Sequence, residues 1–599
     1  MAVSKNNILA GLIFAAAFFT GAQVSAQDSA QEAEAAAETR PAKIQAGAWF
    51  LAPWNTEAAP ANFFRVNKGK WFDGPPNNKK PLDRQYIDPA TGLPHSLPRG
   101  SIVYSPYMWN VAGFDGTWVL EAIGDVRINA GHARNQRRIS KNRVEFVNDP
   151  SFRPVLLIEI QQIGKGGLQD IRLYRKEDEA RLDAGKYWSS AFVGEASKYD
   201  IIRTMDLQST NGMFLNEASD IAPVNYAFWA SGPGRNGSKG SLPLEALFAL
   251  GIEADTEIWF QTPIHLGFPY DLNDPRTSES GGSDSVEALR FTVKSGVVAE
   301  TGKSVFQTVI DSTEWDKYAD KVVAALEASG YPETRMLYIG LGNEIWNWGG
   351  WGFRVQTHYA DGVGEAYVKK DGDHNRAGYG VLSARLMLAF DAAFARAGRD
   401  QARIHVIEGQ AANDYTTVKA LQFARDYIQN EGLKWPDYAP RMGVSVASYW
   451  GGPWQKQMSF DAWKAAIAQD PTAAAKARAD FLIDGPANSQ GTRSWVVQQF
   501  ARHKAQAAAF GVKLIGAYEG GSHDTKPPQI PGGFYKAYMW GSEGARVNQA
   551  VNDALVAAYP GIILSNYALA GPVGGQPWHD GLMGEDTPMQ RSWVKYQRK

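Results

Sequence analysis

From about residue 188 to the C-terminus, the sequence alternates between short apolar runs and longer stretches with helical periodicity. In one such unit, apolar side chains recur at helical spacing from Trp315 to Leu326, Gly330 follows, and residues 336–341 form an apolar run. The same order recurs at residues 381–407 and 494–517. Strands that are joined through single helices pair in parallel, because each helix returns the chain to the same edge of the sheet.

This rhythm predicts an α/β fold with a parallel sheet and helices outside it. Roughly seven or eight units within about 400 residues suit a closed (β/α)8 TIM barrel with long insertions, which we place at residues 186–599. A doubly wound open sheet uses the same units and is the alternative. The position of the first barrel strand stays open: it lies upstream of, or within, the region that precedes residue 186.

That preceding region, residues 44–185, has a different pattern. Short runs of β-forming residues, among them 118–122, 126–129, 144–147, 155–160 and 171–174, are separated by Gly, Pro and Asn. Several strands at a spacing of roughly ten residues are typical of an antiparallel β-sandwich. We therefore predict a sandwich-like, β-rich accessory domain ahead of the barrel.

The N-terminus has the features of an export signal. Lys5 precedes an apolar stretch at residues 8–22, and Val24-Ser25-Ala26 forms a small-residue cleavage site, so residues 1–26 are predicted to be a signal peptide. A retained anchor is the alternative, although about 15 apolar residues are short for a membrane span. Residues 27–43, rich in Ala, Glu, Gln and Ser, predict a disordered leader. We expect an exported protein, periplasmic or extracellular, with no membrane segment after cleavage.

Composition excludes several classes of function. The net charge is −2 and the basic residues are scattered, which argues against nucleic-acid binding. The chain has no cysteine and therefore no disulfide, thiolate nucleophile or cysteine zinc site. We predict neither a metal nor a cofactor, and the sequence leaves the oligomeric state open.

Three short motifs suggest other chemistry and are rejected on their context. Residues 232–237 match G-x-G-x-x-G, but no helix start follows, as a dinucleotide site requires. A possible calcium loop beginning at Asp371 has Arg376 and Leu382 where Gly and Glu are needed. The Ser522-His523-Asp524 run lacks the Gly-x-Ser-x-Gly turn of a serine hydrolase.

Two glutamates come directly after apolar strand-like runs, Glu344 and Glu519. In a (β/α)8 barrel the carboxyl ends of the strands form the active-site face, so both side chains are expected there. A pair of carboxyl groups at that face is what retaining glycoside hydrolysis needs: one as acid and base, one as nucleophile. Glu408 also ends an apolar run and is the rival to Glu519, with a substrate hydrogen bond or a salt bridge as its other interpretation.

The segment Gly342-Asn343-Glu344-Ile345-Trp346-Asn347, with Tyr518-Glu519 downstream, resembles clan A of the glycoside hydrolases. These are retaining (β/α)8 enzymes with catalytic glutamates after strands four and seven. The resemblance implies that Glu344 is the acid/base and Glu519 the nucleophile. It also implies substrate-site roles for the following residues: Asn343 at the sugar 2-hydroxyl, Arg203 and Tyr449 beside the nucleophile, and Trp578 as an aromatic platform after strand eight. Apart from the resemblance, we place Trp346 and Glu408 in the substrate site, because Trp346 offers an apolar ring that would raise the pKa of the acid and Glu408 ends an apolar run.

The same resemblance implies where strands two to eight lie. They would begin at residues 201, 257, 336, 403, 442, 512 and 562. The chain departs from the clan's pattern at two positions that many members fill with histidine, where Gln261 and Ser448 stand here, with His265 near the former. The order of motifs further resembles a group of exported bacterial barrel proteins whose substrates are poorly defined.

The sequence therefore predicts a secreted retaining β-glycoside hydrolase that acts on an oligo- or polysaccharide by double displacement. A non-catalytic carbohydrate-binding or scaffolding protein on the same barrel is the alternative hypothesis. An inverting hydrolase or a polysaccharide lyase is a third. The sugar, its linkage and internal versus terminal attack are not determined by the sequence.

Overall fold

The computed structural model describes residues 42–48, 51, 59–67, 70–75, 80–108, 116–148, 155–213, 215–230, 240–270, 283–349, 351–368, 373–569 and 587–598. The predicted signal peptide, almost all of the predicted leader, the glycine motif at 232–237, Asp371 and Trp578 lie outside these residues. No helix in the described ranges is long and apolar enough to cross a membrane.

Eight parallel strands close into a barrel, which confirms the TIM-barrel prediction and excludes the open sheet. With strands numbered along the chain, each barrel strand pairs with the next one in sequence, and the last pairs with the first. The barrel strands are β1 (Lys43–Gly47), β9 (Ile201–Arg203), β10 (Glu257–Thr262), β11 (Leu337–Leu341), β12 (Arg403–Gly409), β13 (Met442–Val446), β15 (Lys513–Gly516) and β17 (Ile563–Asn566). Strands two to eight of the barrel lie where the resemblance placed them.

Helices connect these strands on the outside of the barrel. The helix Glu314–Ser329 shows why they form: its buried side chains recur at helical spacing from Trp315 to Leu326, and Gly330 ends it with φ +70°. The longer helices are Leu244–Glu253, Ser283–Ser295, Glu314–Ser329, Trp351–Val368, His374–Ala397, Asp414–Asn430, Phe460–Gln469, Pro471–Asp484, Arg493–Ala508, Gly532–Trp540 and Ser542–Ala558. Shorter ones are Glu179–Asp183, Ser190–Ala196, Val305–Ile310 and Pro588–Val594.

The first barrel strand, β1, lies at the end of the predicted leader and the start of the predicted accessory domain. The barrel therefore begins at residue 43, before the β-rich region, and not at residue 186. A polar residue in the middle of β1 explains why the sequence pattern did not reveal it: Gln45 is buried, and its Nε2 donates to the Tyr518 carbonyl at 2.9 Å. The β-rich region is thus an insertion between strands one and two of the barrel.

The strands of the insertion are β2 (Phe72–Asp73), β3 (Lys80–Pro81), β4 (Val103–Met108), β5 (Gly116–Gly131), β6 (Arg134–Ser140), β7 (Arg143–Asn148) and β8 (Val155–Arg175). In the described residues they form one seven-stranded antiparallel sheet in the order β3-β2-β4-β8-β5-β7-β6. We predicted a sandwich, which requires two hydrogen-bonded sheets, whereas these strands form one. The buried apolar side chains of this sheet and of the barrel belong to one continuous cluster, so the sheet braces the barrel.

Two short strands at the barrel mouth, β14 (Ser448–Trp450) and β16 (Gly520–Ser522), pair with each other beyond the ends of β13 and β15. Asp524, just after β16, forms an ion pair with Arg478 in which both side chains are 0% exposed. Arg478 Nε donates to Asp524 Oδ2 at 3.0 Å, and its Nη2 donates to the Gly452 carbonyl at 2.8 Å. Because Asp524 is occupied by Arg478, it does not support a serine-hydrolase triad with His523.

Replacing Asp524 with Ala is expected to lower the free energy of unfolding by about 3–5 kcal/mol, because it leaves the Arg478 guanidinium buried without its counter-charge. Denaturant unfolding followed by circular dichroism measures this. The matched control is Asp484→Ala, which breaks a pair with Arg493 whose side chains are 70% and 40% exposed. The control should change stability by at most about 1 kcal/mol, and equal losses in the two variants would contradict the expectation.

Candidate active site

The ends of five barrel strands, β9, β11, β12, β13 and β15, place polar side chains at one mouth of the barrel. Arg203 is the last residue of β9, Glu408 lies near the end of β12, and Tyr449 lies in β14. Asn343 and Glu344 follow β11 directly, and Glu519 lies between β15 and β16. The residues predicted from the sequence therefore come from separate strands to a single region, as the carboxyl ends of a closed barrel require.

Arg203 is the centre of this group. Its Nη1 donates to Glu519 Oε1 at 2.7 Å, and its Nη2 donates to Asn343 Oδ1 at 2.9 Å and to Glu408 Oε1 at 3.0 Å. The residue is only 1% exposed. Burial acts to lower the pKa of Arg203, but the charges of Glu408 and Glu519 outweigh it and raise this pKa. The Arg203 cation is thus held between the carboxyl groups of Glu408 and Glu519 and the side-chain amide of Asn343.

Glu519 accepts a hydrogen bond on each carboxyl oxygen. Arg203 donates to Oε1, and the Tyr449 hydroxyl donates to Oε2 at 2.8 Å. Both partners are hydrogen-bond donors, and one of them is a cation, so the two bonds fix the orientation of the carboxyl group. These are the two partners that the clan resemblance implied for the nucleophile.

Glu344 has a different environment. The Tyr518 hydroxyl donates to Oε1 at 2.9 Å, and Asn347 Nδ2 donates to Oε2 at 2.8 Å. Burial, followed by the charge of Glu519, raises the pKa of Glu344 to about 7. With a pKa of about 7, the Glu344 carboxyl still holds a proton at slightly acidic pH, where an ordinary glutamate has lost it.

The backbone at Glu344 is also unusual. Its φ is +47°, in the left-handed region that side-chain-bearing residues rarely adopt. The preceding turn is held by Gln356, whose Oε1 accepts from the Asn343 amide at 2.9 Å. A Cβ at Gly342 would lie 2.3 Å from that same oxygen, so glycine is required there. Strained backbone that is held by its surroundings is concentrated at functional sites.

The sequence allowed Glu408 to be a substrate contact or a rival nucleophile, and its surroundings in the structure favour neither role. It is 1% exposed, and Oε1 accepts from both Arg203 and Gln261, the latter at 2.5 Å. Burial raises the pKa of Glu408, and the charge of Arg203 opposes this. The salt-bridge interpretation of Glu408 is the one that the structure supports, because Glu408 pairs with Arg203 at 3.0 Å and both side chains are buried.

The structure describes Trp346 and His265, two of the ring-bearing residues that the sequence analysis named near the site. Trp346 is half-buried and lines a small cavity of about 10 Å³ together with Tyr379 and Glu408. Trp578 lies outside the described residues. His265, near a histidine position of the clan, is buried with its ring 4.6 Å from that of Tyr359, and burial lowers its pKa to about 3, so it stays uncharged.

Sequence reasoning missed two residues of the site, Asp206 and Tyr567. Tyr567 directly follows β17, its hydroxyl donates to Asp206 Oδ2 at 2.9 Å, and its ring lies 6.3 Å from that of Tyr449. Burial, together with the charge of Glu519, raises the pKa of Asp206 to about 7. The sequence signal that could have found Tyr567 is its place directly after strand eight. In sequence it is closer to the expected position of the aromatic platform than Trp578 is.

Outside this site, Asp361, Glu365 and His374 bring three potential metal-binding atoms within 4.8 Å of one another. Arg290 pairs with Asp361 at 2.6 Å and with Glu365 at 3.0 Å, and Lys294 also pairs with Glu365. These cations already balance both carboxylates. The cluster is therefore best described as an ion-pair network between helices.

No protein-family model and no curated protein sequence matches the chain. Among solved structures, it is similar to the N-terminal endo-1,4-β-D-xylanase 10B of Clostridium thermocellum, CBM22-1 and GH10 modules complexed with xylohexaose. The identity is 10%, the TM-score is 0.37, and the match covers 90% of this chain and 96% of the other. Native xylanase 10C from Cellvibrio japonicus matches with 11% identity and a TM-score of 0.32, over 84% and 92% of the two chains. The strand pairing itself establishes the barrel.

The raised pKa of Glu344 predicts a pH-dependent effect of Glu344→Gln on stability. Between the ordinary glutamate pKa of 4.5 and about 7, the folded protein holds a proton on Glu344 that the unfolded chain has lost. Wild-type stability therefore falls as the pH rises through this window, and the neutral amide removes that loss. The difference in melting temperature, variant minus wild type, should become more positive from pH 4.5 to pH 8.

The control is Glu300→Gln, because Glu300 is exposed and lies outside the site. Its melting-temperature difference from wild type should stay constant between the two pH values. A difference for Glu344→Gln that is equally constant would show that the Glu344 carboxyl ionises alike in the folded and unfolded chains.

Proposed function

We propose that this protein is a secreted retaining β-glycoside hydrolase that acts on an oligo- or polysaccharide. The observation that carries the proposal is the hydrogen-bonded network that joins Glu344 and Glu519 at the carboxyl ends of the barrel strands, in which burial and the charge of Glu519 raise the pKa of Glu344. Tyr518, the neighbour of Glu519, donates to Glu344, and Arg203 contacts both Glu519 and the neighbour of Glu344. Two carboxyl groups at one barrel mouth, one of them with a raised pKa, are the arrangement that double displacement uses.

In the first step, Glu519 attacks the anomeric carbon while Glu344 gives its proton to the departing glycosidic oxygen. The bond to the leaving sugar breaks, and a glycosyl ester forms on Glu519. In the second step, Glu344, now a carboxylate, takes a proton from water as the water attacks the same carbon. Glu519 is released, and the product keeps the original anomeric configuration.

The neighbours of Glu519 have roles in this scheme. Arg203 and Tyr449 hold its carboxylate by one oxygen each, which fixes the direction of attack. Asn343, held by Arg203, is placed to bind the 2-hydroxyl of the sugar, a hydrogen bond that strengthens in the transition state. The predicted signal peptide supports export as the route to a polymeric substrate.

Glu519→Ala is expected to reduce turnover of an activated aryl β-glycoside by at least about a thousandfold, because the covalent step is lost. Sodium azide should restore activity by entering the space of the carboxylate, and it should give the glycosyl azide of opposite anomeric configuration. Proton NMR of the product measures this. The substrate is chosen by screening wild type against 4-nitrophenyl β-glycosides and then against polysaccharides.

Glu300→Ala serves as the control and should keep wild-type activity. Full activity of Glu519→Ala on a substrate that wild type hydrolyses would exclude Glu519 as the nucleophile. An inverted product from wild type would exclude the retaining mechanism. Tight binding of a glycan without hydrolysis would instead support the carbohydrate-binding alternative.

Glu344→Ala is expected to separate substrates by their leaving groups. A natural glycosidic bond needs the proton, so its cleavage should fall by at least about a hundredfold, whereas formation of the glycosyl-enzyme from a dinitrophenyl glycoside should change much less. Because the acid must be protonated, wild-type kcat/KM should fall as the pH rises above about 7. Stopped-flow release of dinitrophenol measures the first step. If the variant keeps the wild-type loss of activity at alkaline pH, another group is the acid.

A further inference from the structure

Tyr518 is a fully buried residue that contacts the surroundings of both glutamates. It directly precedes Glu519 in the chain, and its hydroxyl donates to Glu344 Oε1 at 2.9 Å. The guanidinium of Arg203, which pairs with Glu519, lies 5.2 Å from the centre of the Tyr518 ring. One side chain thus contacts both the proposed acid and the cation that holds the proposed nucleophile.

The two hydrogen bonds to Glu344 differ in what they connect. Asn347 lies three residues further along the same loop, so its bond to Oε2 ties the acid to that loop. Tyr518 lies 174 positions away and follows a different barrel strand, so its bond to Oε1 ties the acid to the end of β15. Because Glu519 follows β15 as well, the Tyr518 hydroxyl fixes Glu344 relative to the strand that carries the nucleophile.

The backbone of Tyr518 is itself held by its neighbours. Gln45 Nε2 in β1 donates to the Tyr518 carbonyl at 2.9 Å. On one side, the Ala517 amide donates to a carbonyl of β17 at 2.8 Å, and on the other, the Ser448 amide donates to the Glu519 carbonyl at 2.7 Å. A donor on backbone that is fixed in this way holds its acceptor in one place, which is what the positioning of a catalytic group needs.

We propose that Tyr518 is a positioning residue for the reaction: its hydroxyl holds the Glu344 carboxyl at the distance from Glu519 that double displacement requires. The inference rests on the proposed function and deepens it. The two carboxyl groups of a retaining hydrolase must lie about 5 to 5.5 Å apart. A displacement of about 1 Å can cost about a hundredfold in rate, so a bond that joins the two strand ends affects catalysis directly.

The same hydrogen bond acts on the ionisation of Glu344. Burial raises the pKa of Glu344, as does the charge of Glu519, and hydrogen bonds to the charged form oppose this rise. The groups whose charges or hydrogen bonds act between Glu344 and its surroundings are Glu519, Asn347, Tyr518, Glu408 and Tyr449. Loss of the Tyr518 hydroxyl removes one donor and leaves the other groups in place, so the pKa of Glu344 should increase.

Tyr518→Phe tests the proposal, because it removes the hydroxyl and keeps the ring beside Arg203. On an oligosaccharide that wild type hydrolyses, kcat should fall at least about tenfold, since the acid is no longer held. The alkaline limb of kcat/KM should move to higher pH by about 0.5–1 unit. Rates measured from about pH 5 to pH 9 give both results.

The matched control is Tyr359→Phe. Tyr359 is fully buried too, and its hydroxyl has no hydrogen-bond partner among the described residues. Its loss should leave kcat within about twofold of wild type and the alkaline limb unmoved, because no buried group loses a partner.

A second measurement needs no enzymatic activity. The melting-temperature difference between Glu344→Gln and its parent should rise with pH until the folded parent has lost the Glu344 proton. When the parent is Tyr518→Phe, the rise should extend to higher pH, by the same interval as the kinetic limb. Thermal unfolding of the two single variants, the double variant and wild type gives this comparison.

An unchanged kcat and an unchanged alkaline limb in Tyr518→Phe would overturn the proposal. A lower kcat without any change in either pH dependence would overturn it too, since the hydroxyl would then act elsewhere than on Glu344. If wild type hydrolyses no glycoside or polysaccharide, the proposed function fails. The melting-temperature comparison is then decided separately: a shift would still support the action of Tyr518 on Glu344, and its absence would overturn that as well.

Discussion

One buried guanidinium organises the mouth of this barrel. Arg203 connects Glu519, Glu408 and Asn343, which come from three other strands, and its contact with Glu519 joins residues 316 positions apart. A charge buried this deeply is stable only when its partners surround it, so the network requires all of these strands to be in register. The same requirement fixes the direction in which the Glu519 carboxylate points.

Two chemically identical side chains acquire different properties from their surroundings. Glu519 accepts hydrogen bonds from a cation and a hydroxyl. Glu344 is half-buried, with a phenol and an amide as its partners, and loss of solvent together with the charge of Glu519 raises its pKa to about 7. The ionised form of one group thus helps to keep the proton on the other. The backbone of Glu344 stays in the left-handed region despite the conformational energy that this costs, because the surrounding structure holds it there.

The inserted sheet contributes to the site indirectly. It enters the chain between β1 and β9, the strand that ends in Arg203, and it shares a continuous apolar core with the barrel. Arg65 and Asp170 pair at 2.9 Å between the chain that leaves β1 and the long strand β8. This pair holds the segment around Arg65 against the inserted sheet.

Helical and strand periodicity and strand-end residues are local patterns, so the sequence by itself predicted the barrel and the two strand-end glutamates, and the resemblance to clan A added the positions of seven strands. Tertiary structure decided the rest. Strand β1 is short and carries the buried Gln45, so only closure of the barrel identifies it as a strand. The salt bridge of Glu408 and the pairing of Tyr567 with Asp206 join distant segments, and no local pattern encodes them. The proton on Glu344 is likewise a property of burial and of a neighbouring charge, which exist only in the folded chain.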